Sequence, residues 1–350
     1  MEQQLYRSYS RFLKEKYHAK VYKLPVNLPG TCPNREDGPG CTFCSEKGTG
    51  FEAMEREVPV ATQLIRTKDY IQKRYHAEKF IAYFQNYTNT YFPFETFCSY
   101  IREVEQVKDV VEVSISTRPD CLGSRYLAFL HEWMQKTGIC ITIELGLQTA
   151  NYHTLLKVNR GHSLAEYVDA VQRIRQYPFD ICTHVIMNLP WDDRTDVAET
   201  AKLLSVLGSN IVKIHSLYLA KGTVFAKQYE RGEFQICTLE EYMERLILFL
   251  RLLDPEIVVE RFFSRIPKED AVFCNWGASW WKLKELVEKE MRSRGVCQGD
   301  MYAYRDGAKL GKWNKPLENS LVLKCEIGRK NIWESERRPQ ISGRTRENGI

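Results

Sequence analysis

The stretch Val21-Tyr22-Lys23-Leu24-Pro25-Val26-Asn27-Leu28, continuing as Pro29-Gly30-Thr31-Cys32-Pro33-Asn34-Arg35-Glu36-Asp37-Gly38-Pro39-Gly40-Cys41-Thr42-Phe43-Cys44, decides how this chain is read. A β-prone run feeds a loop whose prolines and glycines forbid a continuous helix or strand. That loop carries three cysteines, separated by eight and then two residues. Thiolates are soft, anionic ligands suited to iron–sulfur and zinc centres. A closed site takes four protein ligands. Three in one loop, with no fourth cysteine nearby, describe a metal centre with one position left open for chemistry. Cys32, Cys41 and Cys44 are the predicted metal ligands.

Downstream of the loop, strand-like and helix-like segments alternate. Further strand candidates are residues 79–85, 110–117, 139–147, 181–189 and 210–219, all rich in Val, Ile, Tyr, Phe or Thr. Between them, Leu127, Leu130 and Met134 share a helical face that Gly138 ends. Ser163 with Glu166 and Thr238 with Glu241 have the spacing of capping boxes. Val197, Ala201 and Leu204 form another stripe, closed by Gly208. A last helix is expected over about 276–293. Six strands alternating with helices imply a parallel sheet with right-handed crossovers. In a barrel of such units the loops after the strands build the active site, and the cysteine loop follows the first strand. The predicted fold is α/β: a partial TIM-type (β/α)6 barrel with a C-terminal α/β extension. The predicted division is a basic helical segment over 1–24, a core barrel over 25–255, the extension over 256–305 and an irregular or disordered basic tail over 306–350.

Composition bounds the rest. The chain has 350 residues, 43% of them hydrophobic, which suits a globular protein with a real core. No apolar run approaches the length that spans a bilayer, and the opening Met1-Glu2-Gln3-Gln4 lacks a signal pattern. A cytoplasmic protein without a membrane partner is expected. Of the 11 cysteines, only the three in the loop are clustered. The other eight read as small buried hydrophobes, and an odd, scattered total of 11 argues against a disulfide framework. The net charge of +5 lies at the two ends of the chain. Basic ends can contact RNA phosphates, although a solvated surface is the commoner use of such charge.

Several motifs carry a family resemblance. The Cys32–Cys44 loop, with Phe43 just before its last cysteine, resembles the cluster loop of the radical S-adenosyl-L-methionine (SAM) enzymes. The superfamily's common spacing is three then two. The wider first gap resembles the subgroup related to the Elongator catalytic subunit. Ala82-Tyr83-Phe84-Gln85-Asn86-Tyr87-Thr88-Asn89-Thr90, Ser116-Thr117-Arg118-Pro119-Asp120-Cys121, Glu144-Leu145-Gly146-Leu147-Gln148-Thr149, Asn159-Arg160-Gly161-His162, Lys213-Ile214-His215 and Ala220-Lys221-Gly222-Thr223 resemble, in that order, the YhcC/YtqA-like radical SAM proteins. The likeness extends over roughly residues 1–305. Two departures stand out. The gap between the first two cysteines is about three residues shorter than is usual in that family. The family's Gly-Leu-Pro-Gly-Glu reads Asn188-Leu189-Pro190-Trp191-Asp192 here.

The resemblance implies a [4Fe–4S] cluster on the three cysteines, with SAM chelating the remaining iron. It implies reductive cleavage of SAM to a 5′-deoxyadenosyl radical that abstracts hydrogen from a substrate, by kinship of the RNA or tRNA class. It also implies a low-potential electron donor of flavodoxin or ferredoxin type. Implied SAM contacts are Arg160 for the carboxylate, Gln85 for the amino group, Glu144 and Gln148 for the ribose, and Phe43 and Leu189 around the cofactor. Glu144 interrupts an apolar strand, and a buried carboxylate needs partners. At this length no acetyltransferase domain is expected. The competing reading is a non-catalytic zinc or iron–sulfur RNA-binding or regulatory module, with His18 or His76 as fourth ligand. No His lies at zinc-finger spacing.

Overall fold

The computed structural model describes residues 4–45 and 53–310. Seven parallel strands form one sheet in the order β1-β2-β3-β4-β5-β6-β8. They are β1 (Val21–Val26), β2 (Lys79–Phe84), β3 (Val110–Thr117), β4 (Cys140–Gln148), β5 (Asp180–Ile186), β6 (Ile211–His215) and β8 (Val258–Arg261). A separate antiparallel pair joins β7 (Leu219–Ala220) to β9 (Ala271–Phe273). The helices are α1 (Tyr9–Tyr17), α2 (Pro33–Glu36), α3 (Val60–Tyr75), α4 (Phe94–Glu103), α5 (Ser124–Thr137), α6 (Tyr152–Lys157), α7 (Leu164–Ile174), α8 (Arg194–Leu207), α9 (Val224–Glu230), α10 (Leu239–Leu252) and α11 (Trp280–Arg294).

All six expected strands are present and consecutive. The sheet is larger by one strand than (β/α)6, because β8 extends it from within the segment assigned to the extension. β8 is four residues long and follows Asp254-Pro255-Glu256, too short a run to show a period. At the other end, residues 21–24 belong to β1, so only Tyr9–Tyr17 of the first segment is helical. Helix ends follow local chemistry. Gly138 and Gly208 close α5 and α8 in the left-handed conformation, each at φ 73°. Ser163 and Glu166 complete the capping box of α7, and the Thr238 side chain caps α10.

Strand side chains alternate between two faces. One face is apolar and buried: Leu24, Val26, Ile143, Leu145, Val185 and Ile214 all belong to it. The other curls around a polar interior built from Lys23, Tyr83, Ser116, Glu144, His184 and Lys213. β1 and β8 are the sheet's edges and do not pair with each other. Pro25, which has no N–H to donate, sits in an edge strand, where it is tolerated. Helix α1 lies against both edge strands.

The chain divides into two compact units, Met1–Tyr302 and Ala303–Ile350. The described part of the second holds one 3₁₀ turn, Ala308–Leu310. The expected irregular tail otherwise lies outside the described residues, as do Cys325 and the Leu321-Val322-Leu323 patch. Among the described residues no helix is long and apolar enough to cross a membrane.

Candidate metal and cofactor site

The loop after β1 closes over the C-terminal ends of the strands. The Cys32 carbonyl accepts from the N–H groups of Arg35 (2.8 Å) and Glu36 (3.2 Å), which starts α2. Gly40, at φ 79°, turns the chain back, and the Cys44 N–H then reaches the Cys41 carbonyl at 2.9 Å. All three cysteines line a cavity of about 610 Å³. Three arginines hold the loop. Arg35 donates to the carbonyls of Cys44 (2.9 Å) and Ser45 (2.6 Å). Arg160 reaches Cys41 Sγ at 3.5 Å while donating to the Gly146 carbonyl at 2.7 Å. Arg118 pairs with Asp120, donates to the Arg160 carbonyl at 2.7 Å and lies 4.0 Å from Cys32 Sγ. A Cβ at Gly146 would lie 2.6 Å from Arg160 NH2, so any side chain there would displace the guanidinium.

The donor set fits an iron–sulfur cluster better than a single ion. Among the described residues, the one set of three His, Cys, Asp or Glu ligand atoms lying within 4.8 Å of one another is Glu144, Cys182 and His184. The three loop thiols do not crowd that closely. A zinc ion with bonds of about 2.3 Å would draw thiolates to about 3.8 Å from each other. A cluster with one iron per thiolate holds them further apart. Burial, then the neighbouring Cys41, raises the Cys44 pKa against the opposing Arg35, a repulsion that a bound cationic centre would relieve. His18 and His76 do not reach the cavity. Both are exposed helix C-caps, at φ 52° and 53°. The Glu144–Cys182–His184 set is no vacant cation site either, since two lysine ammonium groups already bond Glu144.

Glu144 is the centre of the cavity floor. Its Oε1 accepts from Lys23 Nζ (2.7 Å) and Ser114 Oγ (2.7 Å). Its Oε2 bonds Lys213 Nζ (2.9 Å) and His184 Nε2 (2.7 Å). Glu260 on β8 bonds the same two lysines, each at 2.9 Å. Burial alone would raise the Glu144 pKa. Lys213, Lys23 and the His184 hydrogen bond outweigh it and hold the carboxylate well below its usual range. Both lysines lie over the Tyr83 ring, Lys213 at 4.5 Å and Lys23 at 4.7 Å.

Phe43, Gln85, Gln148 and Arg160 all line the cavity wall. Gln148 ends β4 at φ 80°, beside a register shift that turns its side chain into the mouth. Glu144 lines the cavity too, with its oxygens committed to internal donors. Leu189 does not reach the cavity. It is fully buried with Val158, Leu217 and Phe225, a cluster that supports Phe43 from behind. Sequence reasoning did not single out Lys23 or Glu260 and gave Lys213 no role. Lys23 and Lys213 show the signal that flagged Glu144, a charge inside an apolar strand.

The model of the Radical SAM superfamily matches residues 26–204, and that of the Radical_SAM C-terminal domain matches residues 209–293. The uncharacterized protein YtqA of Bacillus subtilis is 36% identical over 301 residues, covering 85% of this chain and 92% of that protein. A tRNA uridine(34) acetyltransferase of Methanocaldococcus jannaschii is 26% identical over 57% of this chain, and the match spans 37% of that protein. Among solved structures, the archaeal Elp3 of Methanocaldococcus infernus superposes with a TM-score of 0.62 at 20% identity. That superposition covers 79% of this chain and 64% of Elp3, and it shows the shared fold. With half of its length matched and YtqA alike over nearly the whole of its own, this chain belongs to the radical SAM superfamily, whose cofactors are a [4Fe–4S] cluster and SAM.

Proposed function

We propose that the chain is a radical SAM enzyme in which Cys32, Cys41 and Cys44 hold the cluster and the cavity below them receives SAM and the substrate. The observation that carries this reading is three separated thiols lining one cavity, with Arg160 lying between Cys41 Sγ and Gly146. When bound, the cluster and SAM supply one-electron reductive cleavage and, with it, hydrogen abstraction from a carbon of the substrate. The chain's own residues do the rest. Arg160 offers a charge-assisted donor to the SAM carboxylate. Gln85 offers its amide oxygen to the amino group. Gln148 would offer its amide to the ribose hydroxyls, and Phe43, backed by the apolar cluster that holds Leu189, walls one side of the cavity. Glu144 is assigned to fixing Lys23, Lys213 and His184 rather than to the ribose, because each of its oxygens already has strong donors.

An electron donor of flavodoxin or ferredoxin type and a cytoplasmic setting belong to the same reading. RNA is the substrate class proposed, supported by the tRNA named in the description of the uridine(34) acetyltransferase relative and by the basic N-terminal segment. Acetyl transfer is not carried over.

Anaerobic reconstitution with iron and sulfide, followed by dithionite and SAM, tests the proposal. Bound iron and sulfide in equal amounts and release of 5′-deoxyadenosine are expected, with both lost together in Cys44→Ala. Tight zinc binding without SAM cleavage, or full activity in that variant, would overturn it.

A further inference from the structure

The charges inside the barrel do not cancel. Lys23 and Lys213 are matched by Glu144 and Glu260, and Arg118 by Asp120. Arg261, the last residue of β8, has no such match. Among the described residues no carboxylate lies within 4.0 Å of it. Its NH2 group donates to His215 Nδ1 at 2.8 Å, and its Nε is buried without a partner. His215 is kept neutral by burial and by the positive charges of Arg261 and Lys213. A guanidinium remains charged in any protein setting. One facing a neutral ring in a half-buried wall is costly unless a ligand brings an anion.

Arg261 also stands where two cavities meet. A second cavity of about 630 Å³ lies along the open side of the sheet, walled by α1, both edge strands and α11. It shares Lys23, Glu260, Arg261 and Arg265 with the thiol-lined cavity. The Arg265 guanidinium sits 3.9 Å from the centre of the Trp280 ring, and Trp280 lines this second cavity. Guanidinium forks match phosphate oxygens, and aromatic faces beside a basic cleft hold bases.

The geometry points to Arg261 as the anchor for a phosphate group of the substrate, reached through the second cavity beside the edge strands β1 and β8, with Arg265 and Trp280 at its entrance. This rests on the thiol-lined cavity being the reaction site. The phosphate belongs either to a nucleic-acid strand or to a small phosphorylated molecule, and two probes separate these sources.

The test uses the full chain, reconstituted anaerobically, as wild type and as Arg261→Gln, Arg261→Lys and Arg265→Ala. Binding of inorganic pyrophosphate and of a short fluorescein-labelled single-stranded RNA is measured across a salt series, with SAM binding measured on the same samples. The wild type binds at least one probe, more weakly as salt rises. Arg261→Gln weakens that binding roughly tenfold or more, and Arg261→Lys recovers part of it because charge is kept and the fork is lost. Arg265→Ala, at an exposed position, weakens it by a smaller factor and decides the matter if the Arg261 variants do not fold. RNA bound far more tightly than pyrophosphate marks a strand, and comparable binding marks a small molecule. Failure of the wild type to bind either probe overturns the inference. So does unchanged binding in Arg261→Gln and Arg265→Ala, or loss of SAM binding in Arg261→Gln with probe binding intact. Failure of the wild type to cleave SAM would sink the enzyme reading instead, and the probe contrast between wild type and variants would still be readable.

Discussion

His162 is neutral at ordinary pH. Burial and the neighbouring Arg160 push its pKa down to about 4 from 6.5, although its ring nitrogens face the carbonyls of Gly146 and Ser163, each at 3.1 Å. Arg118 acts in the same direction, and Asp120 opposes it weakly. A depressed folded-state pKa means that the unfolded chain takes up the proton first. Stability is therefore full above 6.5 and is lost as pH falls from there to about 4, by roughly 3 kcal/mol from this residue. His184 and His215 are shifted in the same direction. Glu144 adds its own loss lower down, as pH falls below 4.5 through its depressed folded-state pKa. Urea midpoints of cluster-free protein between pH 7 and pH 4 should fall steeply in wild type and less steeply in His162→Asn. Identical slopes would show that His162 titrates normally. At this scale the sequence was partly legible. Glu144 stood out as a charge in an apolar run, and Lys23 and Lys213 carried the same mark. Glu260 did not, because its strand was too short to be read as one.

At the scale of elements, the cysteine loop depends on a glycine in a distant turn. Gly161 adopts φ 75°, and a Cβ there would lie 2.1 Å from Asn34 Oδ1 and 3.1 Å from Arg118 NH2. Asn34 ties the loop down, donating to the Asn159 carbonyl at 2.5 Å and approaching Cys41 Sγ at 3.5 Å. Gly161→Ala is strained at its own φ and must also displace Asn34. After reconstitution this variant should hold at most about half the wild-type iron per chain, with an unchanged far-ultraviolet circular dichroism spectrum. Full iron retention would show that Asn34 does not order the loop. The loop was legible through its cysteines and glycines, and the six main strands through near-continuous apolar runs. Those runs concealed the alternation within them, because the outward residues are buried beneath helices and the inward ones line a polar barrel. Only the inward set, every second residue, carries the chemistry.

Over the whole molecule, a sheet that never closes on itself is held by what crosses its opening. Lys23 on β1 and Glu260 on β8 meet across the gap at 2.9 Å. The end of α1 seals the opposite end of the barrel from the cysteines. Lys16 bonds Asp180 at 2.8 Å and Glu112 at 3.1 Å, at the start of β5 and near the start of β3. Tyr17 donates to Glu112 at 2.5 Å, and Thr142 donates to it at 2.8 Å. The Glu112 side chain is 1% exposed, so its charge has little water to fall back on. Lys16→Met leaves that carboxylate with two neutral donors and no cation. Breaking a buried pair in this way costs about 3 kcal/mol or more. The exposed pair Arg125–Glu95, with side chains 69% and 77% exposed, provides the contrast: Arg125→Met should cost less than about 1 kcal/mol. Guanidinium denaturation of the two variants separates these cases. A clear loss of midpoint in Lys16→Met and almost none in Arg125→Met is expected. Equal effects would mean that α1 rests against the sheet without locking it, and that the open edge is held by the Lys23–Glu260 contact.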